Sequence, residues 1–513
     1  MLSRRPVAAR PAGDRDTAAL KSVVIVSGAV LMSLEILGSR VLAPAYGSSV
    51  YVWGSLITTF LIALAAGYSL GGRIADRRPS LSLLSIILSA GAVLILPSVL
   101  WAPKLLEFLG SRVWDTRWAA LIAAMILFLP PSLALGAVTP FGVRVGLRRV
   151  ERAGTVSGGY SALSTVGSIA GTLLTTFFFI PRFPVYGLLM GLAAILAGCA
   201  LLVVRDRDSL ATTLLASLTL AAAVVARAQP QSVSGAVVLL RQDTPYHHIV
   251  VTQLDTTRWL RFDNLTQSAV NIAHPDRIVG NGCIQAFLLS FAIRPTIREV
   301  CLIGLGGGSF PRAVARIAPG AVVESVEIDP VVRDIARKFF LYDESERIRT
   351  VVEDGRVFLA RPGKAYDLIV LDAFNSTGVP FHLTTREFFE ATRRRLAPGG
   401  VFAANFVGGL MGPDGKLFWA TYQAIRRQFG QVYVIGLEPG GKVPQTNIVL
   451  FATVSADPID SDRLRRNAEA LESLWKLPGL ASQAAAMAHS PEPPAGIPEL
   501  TDAFSPVEAL QHF

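Results

Sequence analysis

The sequence predicts two architectures in series: an N-terminal all-α transmembrane bundle of about seven helices, and an α/β doubly wound domain reached through short alternating strands. Three observations predict it. Nearly all of the long apolar runs lie before residue 230, and they lift the whole chain to 51% hydrophobic against 17% charged. Beyond residue 230 the charge density is that of a soluble domain, so two domains are the minimum for 513 residues. From Glu299 to Asp372 the pattern then reads strand, glycine turn, helix, strand, followed by two further strands that each end in an acid.

That last stretch organises the rest. Val300 to Ile303 is a short apolar run, and Gly304-Leu305-Gly306-Gly307-Gly308-Ser309 leads from it into a helical pattern at Pro311 to Ile317. A strand feeding glycines into a helix start lets the backbone approach a nucleotide closely, although glycines in a row also make an ordinary tight turn. The acids weigh against the ordinary turn. Glu327 ends the strand Val322 to Ile328, about twenty residues past the glycines, where a doubly wound fold places an acid for ribose hydroxyls. Asp354 and Gly355 follow Val351-Val352-Glu353, and Asp372 closes the strand from Tyr366. All three acids would emerge at the carboxyl ends of parallel strands, along the crevice where open sheets bind ligands.

Taken in order, residues 1–20 carry Arg4, Arg5, Arg10 and Arg15 and read as a disordered cytoplasmic tail; the apolar stretch beyond is too long for a cleaved signal. Residues 21–228 read as a multi-pass helical domain of the cell (inner) membrane, with spans near 22–44, 52–73, 81–101, 117–139, 155–180, 184–204 and 208–226. Basic clusters at 71–78, 144–152 and 205–208 follow the second, fourth and sixth spans. They share a side with the amino terminus, which the positive-inside rule makes the cytoplasm. The same clusters account for the net charge of +10 without nucleic acid. If the Ser/Thr-containing run at 208–226 crosses, the following domain lies outside the cytoplasm; if it lies against the membrane, that domain stays inside.

Glu35, with Arg40 beyond it, is the one acid at depth in the spans. A buried charge there costs about 2.5 to 3.5 kcal/mol on translocon scales, so it is either functional or paired with Arg40 or with backbone. Gly158, Gly159, Ser161, Ser164, Gly167, Ser168 and Gly171 in the fifth span predict close helix packing. Cys199, Cys283 and Cys301 show neither metal spacing nor obvious pairing, and no metal is expected.

After the membrane part, Val237 to Leu240, His248 to Gln253 and Trp259 to Phe262 read as strands and Ile278 to Ile293 as a helix. Beyond Asp372, Thr384 to Leu396 reads as a helix, Gly400 to Phe406 as a strand and Lys416 to Phe429 as a helix; Gln431 to Ile435 and Asn447 to Thr453 form a closing pair. The tail past 455 adds a helix and a Pro-rich stretch near 491–497, with no chemistry assigned.

At these residues the chain resembles the spermidine synthases, or polyamine aminopropyltransferases, in a membrane-fused form. The resemblance rests on the glycine turn, Val326-Glu327-Ile328-Asp329, Glu353-Asp354-Gly355-Arg356-Val357-Phe358-Leu359 and Tyr366-Asp367 to Asp372. Tyr246 in Pro245 to Val251, and Asp263 and Gln267 in Phe262 to Gln267, also stand at the family's places. It covers roughly residues 237–453. It implies a small β domain at 237–275, a Rossmann-like domain of the S-adenosylmethionine-dependent methyltransferase type at 276–455, and a C-terminal tail at 456–513. The reaction implied is aminopropyl transfer from decarboxylated S-adenosylmethionine to a polyamine such as putrescine, releasing methylthioadenosine. Gly304, Gly306 and Gly308 would line the donor's tail and Glu327 would grip the ribose. Asp354, with Gly355 beside it, would accept from the adenine amine, and Asp372 would be the base. Tyr246 and Gln267 would close the pocket from the small β domain, with His247 rather than His248 facing it.

The sequence also departs from the family. The turn holds Gly, Leu and Ser where the family has an aspartate, Asn375 stands at the place of a second acid, and His247 replaces a glutamine. Each lost acid removes attraction for a cationic amine, on the order of 4 kcal/mol at 4 Å and intermediate dielectric. His382 could serve as base or amine ligand, or could cap the next helix or bond to backbone. The departures keep two alternatives in view: transfer of methyl or another group from S-adenosylmethionine itself, and a transporter or sensor whose domain only binds an adenosyl ligand. The partners expected are the lipid bilayer and a small amine, with a homodimer as the candidate assembly.

Overall fold

Long apolar runs in lipid satisfy their backbone groups within the segment as helices, and the described residues of the first part are mostly helical. The computed structural model describes residues 14–47, 49–112, 116–147, 149–227, 235–263, 265–279, 282–374, 378–410, 415–436, 446–455, 458–505, 507 and 510. The chain divides into two units, Met1–Gln231 and Ser232–Phe513. The first holds α1 (Asp14–Tyr46), α2 (Val50–Arg77), α3 (Leu81–Leu94), α4 (Leu96–Leu100), α5 (Ala102–Arg112), α6 (Thr116–Gly136), α7 (Val138–Gly146), α8 (Ala153–Leu174), α9 (Val185–Val203) and α10 (Arg207–Arg227). Among the described residues six stretches are long and apolar enough to cross a membrane: Arg15–Tyr46, Val50–Arg77, Leu81–Leu100, Arg117–Gly146, Val150–Phe179 and Val185–Val203.

The seventh expected span is a helix, α10, but it is not one of those six. Its hydroxyl residues lower its apolarity and work inside the bundle instead: the buried Thr213 hydroxyl lies 3.1 Å from that of Ser85 and 3.0 Å from that of Ser89. The other difference lies at the amino end. Helix α1 starts at Asp14, within the segment read as tail, because Ala18-Ala19-Leu20 extends the helix, Leu20 is buried and Arg205 pairs with Asp16 at 2.6 Å.

The second unit opens with an antiparallel sheet in sequence order: β1 (Val237–Asp243), β2 (His248–Leu254), β3 (Thr257–Phe262) and β4 (Leu265–Asn271). A second sheet follows from β5 (Glu299–Ile303), β6 (Val322–Glu327), β7 (Ile348–Val352), β8 (Tyr366–Leu371), β9 (Leu396–Gly408), β10 (Gln431–Gly436), β11 (Thr446–Thr453) and β12 (Ala488–His489). Its order is β12-β10-β11-β9-β8-β5-β6-β7, parallel from β9 to β7 and antiparallel beyond β9. Alternation along β5 shows why both faces are covered: Val300 and Leu302 join one apolar cluster, Cys301 and Ile303 the other.

The first face receives α11 (Cys283–Leu288), α12 (Ser290–Ile293), α13 (Ser309–Ile317), α18 (Ser461–Trp475) and α19 (Leu480–Ala485). The second receives α15 (Gly355–Ala360), α16 (Arg386–Arg394) and α17 (Lys416–Arg426). Helix α14 (Pro330–Phe339) instead places Val332 and Ile335 against Ile249, Val251, Leu260 and Phe262 of the small sheet. The helix expected from Ile278 starts only at Cys283, after Gly282 at φ +77°.

Within the helical unit the tightest seam joins α1 to α8. A Cβ on Gly167 would lie 1.9 Å from the Ile25 carbonyl oxygen, and one on Gly171 would lie 2.2 Å from that of Ala29. Hydroxyls stitch the same seam, since Ser168 donates to the Gly28 carbonyl at 3.3 Å and Thr175 to the Ser33 hydroxyl at 2.8 Å. Gly167→Ala is therefore expected to destabilise the unit by about 1–3 kcal/mol, the range for overpacking. Gly54→Ala, which meets nothing within 4 Å, should cost nothing. Thermal unfolding in detergent checks the pair.

Candidate active site

The parallel sheet reverses its direction of growth between β5 and β8. The chain passes from β5 through β6 to β7 on one side and returns to lay β8 and β9 on the other, which opens a crevice at the carboxyl ends. Backbone hydrogen bonds align four strand ends there. Asp372 N donates to Ile303 O at 2.9 Å, Gly304 N to Val326 O at 2.8 Å and Glu353 N to Glu327 O at 3.0 Å. Gly304 has φ +94°, and a Cβ on it would fall 2.3 Å from the Asp372 carbonyl oxygen, so only glycine lets β5 leave beside the end of β8. At Gly308, φ +70°, the Tyr342 ring fills the place of a side chain; over Gly306 the space is open.

Each acid of the rim is also held by backbone. The Glu327 carboxylate accepts from Leu305 N of the glycine turn at 2.9 Å and from Asp329 N at 3.0 Å. It is 6% exposed, and burial pushes its pKa up to about 7 against the lowering effect of those amides. Asp354 caps α15, accepting from Arg356 N at 2.9 Å and Val357 N at 3.0 Å through one oxygen. Its other oxygen meets Nε2 of His382 at 3.0 Å. Gly355 is needed beside it, because a Cβ would lie 2.4 Å from the Ile303 side chain. Asp372, partly exposed at the end of β8, accepts from the Asn405 side-chain amide at 3.1 Å. Burial raises its pKa to about 6, and the Asn405 bond opposes that rise.

The small sheet supplies a second wall. Ser268 on β4 lies 3.2 Å from Ser309, hydroxyl to hydroxyl, at the end of the glycine turn. Leu260 pairs with Ser268 and Arg261 with Thr266, which leaves Gln267 as the extra residue of a β-bulge, a device that re-aims a side chain. Tyr246 is 43% exposed, and its phenol pKa is raised by burial and then by the charges of Asp329, Asp354 and Glu327. The hydroxyl thus sits in the field of the rim acids. His247 is buried and stacks on Phe262 with ring centroids 4.2 Å apart, while His248 pairs with Asp243. Asp263 turns the chain at φ +53° and accepts from His248 N at 3.4 Å. Asn375 lies outside the described residues.

Two readings of His382 are thereby narrowed: its ring partners Asp354, and its carbonyl accepts from Arg356 at 3.0 Å. Sequence reasoning gave no role to Asn405, nor to Asp329, which it quoted only within the motif Val326 to Asp329. The first could have been found as the lone amide in the apolar strand Val401 to Phe406, the second as the N-cap of α14, where it accepts from Val331 N at 2.9 Å.

The family model described as the spermine/spermidine synthase domain matches residues 289–406. A polyamine aminopropyltransferase of Vibrio vulnificus is 32% identical over 253 residues, 48% of this chain and 81% of that relative. A probable polyamine aminopropyl transferase of Bifidobacterium longum is 26% identical over 276 residues, 52% of this chain and 60% of the relative. The crystal structure of a probable spermidine synthase from Corynebacterium glutamicum aligns with 54% of this chain and 98% of its own, at 18% identity and a TM-score of 0.40. The chain belongs to the spermidine synthase, or polyamine aminopropyltransferase, family of transferases.

Proposed function

We propose that the protein is a membrane-anchored aminopropyltransferase that takes its aminopropyl group from decarboxylated S-adenosylmethionine. The observation that carries this reading is the row of Gly304, Glu327, Asp354 and Asp372 on adjacent strand ends at the switch point of the sheet. Gly304, Gly306 and Gly308 leave room for the donor's tail, Glu327 has lone pairs left for ribose hydroxyls, and Asp354 with Gly355 stands where the purine would end. Methylthioadenosine is already a good leaving group from a sulfonium. What the chain adds is alignment and proton transfer. The amine lone pair attacks the methylene beside the sulfonium, the C–S bond breaks with its electrons going to sulfur, and Asp372 takes the proton from nitrogen. Because Nε2 of His382 is engaged by Asp354, this reading puts that histidine on the purine side and takes Asp372 as the base.

Tyr246, Gln267 and His247 form the amine side of this reading, with Asn375 as a fourth candidate. The turn without an aspartate and Asn375 in place of an acid weaken attraction for a second ammonium, which speaks against a standard putrescine site. The same loss favours the runner-up, transfer of methyl from intact S-adenosylmethionine. The two are separated by incubating the purified protein with either donor and an amine panel and weighing the products. We expect a gain of one aminopropyl unit; a gain of one methyl overturns the assignment. In the same assay Asp372→Asn should lose about 10²–10⁴ of the rate. Protonation of Asp372 as pH falls through about 6 should add a unit slope to kcat/KM that this variant lacks. A variant that keeps the limb excludes Asp372 as the base.

The helical unit is read as the anchor, through the six long apolar helices. Arg144 pairs with Asp76 at 3.0 Å and Arg205 with Asp16 at 2.6 Å, so the basic loops after the second and fourth spans meet each other and the loop after the sixth meets the amino end of α1. That end is assigned to the cytoplasm. A cysteine at Arg149→Cys should react with an impermeant maleimide only after spheroplasts are permeabilised. Labelling of intact spheroplasts reverses the orientation.

A further inference from the structure

The C-terminal tail carries no motif, yet it reaches the purine side of the rim. Leu500 is fully buried against Ala420 of α17, together with Val507 and Leu510. The backbone on either side of Leu500 is bonded into the same region: Gln423 donates to Ile497 O at 2.8 Å, Arg386 N to Leu500 O at 2.9 Å, and Asp502 N to the Glu387 carboxylate at 3.0 Å. A tight turn closed by Thr501 and Phe504 sets Asp502 at its tip. There the carboxylate takes both terminal nitrogens of Arg356, one at 2.7 Å, and the Thr385 hydroxyl at 2.8 Å.

Arg356 is the hub of this arrangement. It lies in the first turn of α15, two residues after Asp354, and the nitrogen that meets Asp502 also donates to His382 O at 3.0 Å and Thr385 Oγ1 at 3.2 Å. A bidentate guanidinium–carboxylate pair fixes the plane of the guanidinium as well as its position, so the tail dictates where the His382 carbonyl is held. The His382 ring in turn meets Asp354 at 3.0 Å. One chain of bonds thus runs from a buried leucine in the tail to the acid at the end of β7.

We propose that residues 497–504 are a strap, with Asp502 a positioning residue that acts through Arg356 and the His382 loop to hold Asp354 for the donor's purine. This rests on the donor reading given above. The strap concerns donor affinity, so its signature is a split between donor KM and kcat that a general loss of stability does not give.

The test uses the full-length protein, calorimetric titration with methylthioadenosine, and donor kinetics. Asp502→Ala should weaken methylthioadenosine binding and raise donor KM by about tenfold, the equivalent of about 1.4 kcal/mol, with kcat within about twofold. Asp502→Glu should recover most of the loss, and Asp502→Ala added to Arg356→Ala should cost little more than Arg356→Ala alone. Glu492→Ala breaks another tail contact, the exposed pair with Arg426, and should leave donor binding unchanged. If Asp502→Ala does not fold, the isosteric Asp502→Asn takes its place. Undiminished methylthioadenosine binding in the Asp502 variant overturns the strap, as does an equal loss in Glu492→Ala. Wild-type protein that binds no methylthioadenosine overturns the donor reading itself, and the strap with it, before any variant is made.

Discussion

The carboxyl ends of β8, β5, β6 and β7 are tied side by side by backbone hydrogen bonds, and everything chemical about the second unit depends on that row. It forms only because Gly304 takes φ +94° and has no Cβ to strike the Asp372 carbonyl. With a side chain there, β5 could not leave next to β8, and the acid at the end of β8 would lose its relation to the glycine turn. A single backbone conformation at the switch point therefore sets the spacing between Asp372 and the glycine turn.

Holding several acids at one rim is costly, because burial disfavours their charged forms. The fold offsets this cost with donors already present in the loops. Glu327 uses the amides of Leu305 and Asp329, Asp354 those of Arg356 and Val357, and Asp329 that of Val331. These bonds also brace the turns and cap α14 and α15. A structural and a ligand-binding role for such acids are thus compatible, since a carboxylate oxygen that accepts one amide still has a lone pair for a ligand. Asp372 is treated differently. Its side chain has the Asn405 amide, and burial raises its pKa to about 6, which suits the proton acceptor proposed above.

Much of this was legible in the residues. The period-two and period-3.6 patterns located the strands other than β4 and β12, and the order strand, glycine turn, helix, acid located the rim, because both are local consequences of backbone geometry. What was illegible depends on contacts between distant segments. Arg356 looks like one more basic residue in a helix until Asp502, far along the chain, is placed against it. The bulge at Gln267 is a register event that no run of residue types announces. Helix α10 reads as a weak span because its hydroxyls count against it, whereas Thr213 faces Ser85 and Ser89 within the bundle. His382 stayed ambiguous for the same reason, since its partner sits on a different strand end.

The most direct measurement is a structure of the full-length protein with methylthioadenosine bound. The account predicts ribose hydroxyls within hydrogen-bond distance of Glu327, the purine beside Asp354, and the sulfur facing Asp372 over the glycine turn. It would be contradicted by a purine lodged elsewhere, with the Glu327 carboxylate still bonded only to the amides of Leu305 and Asp329.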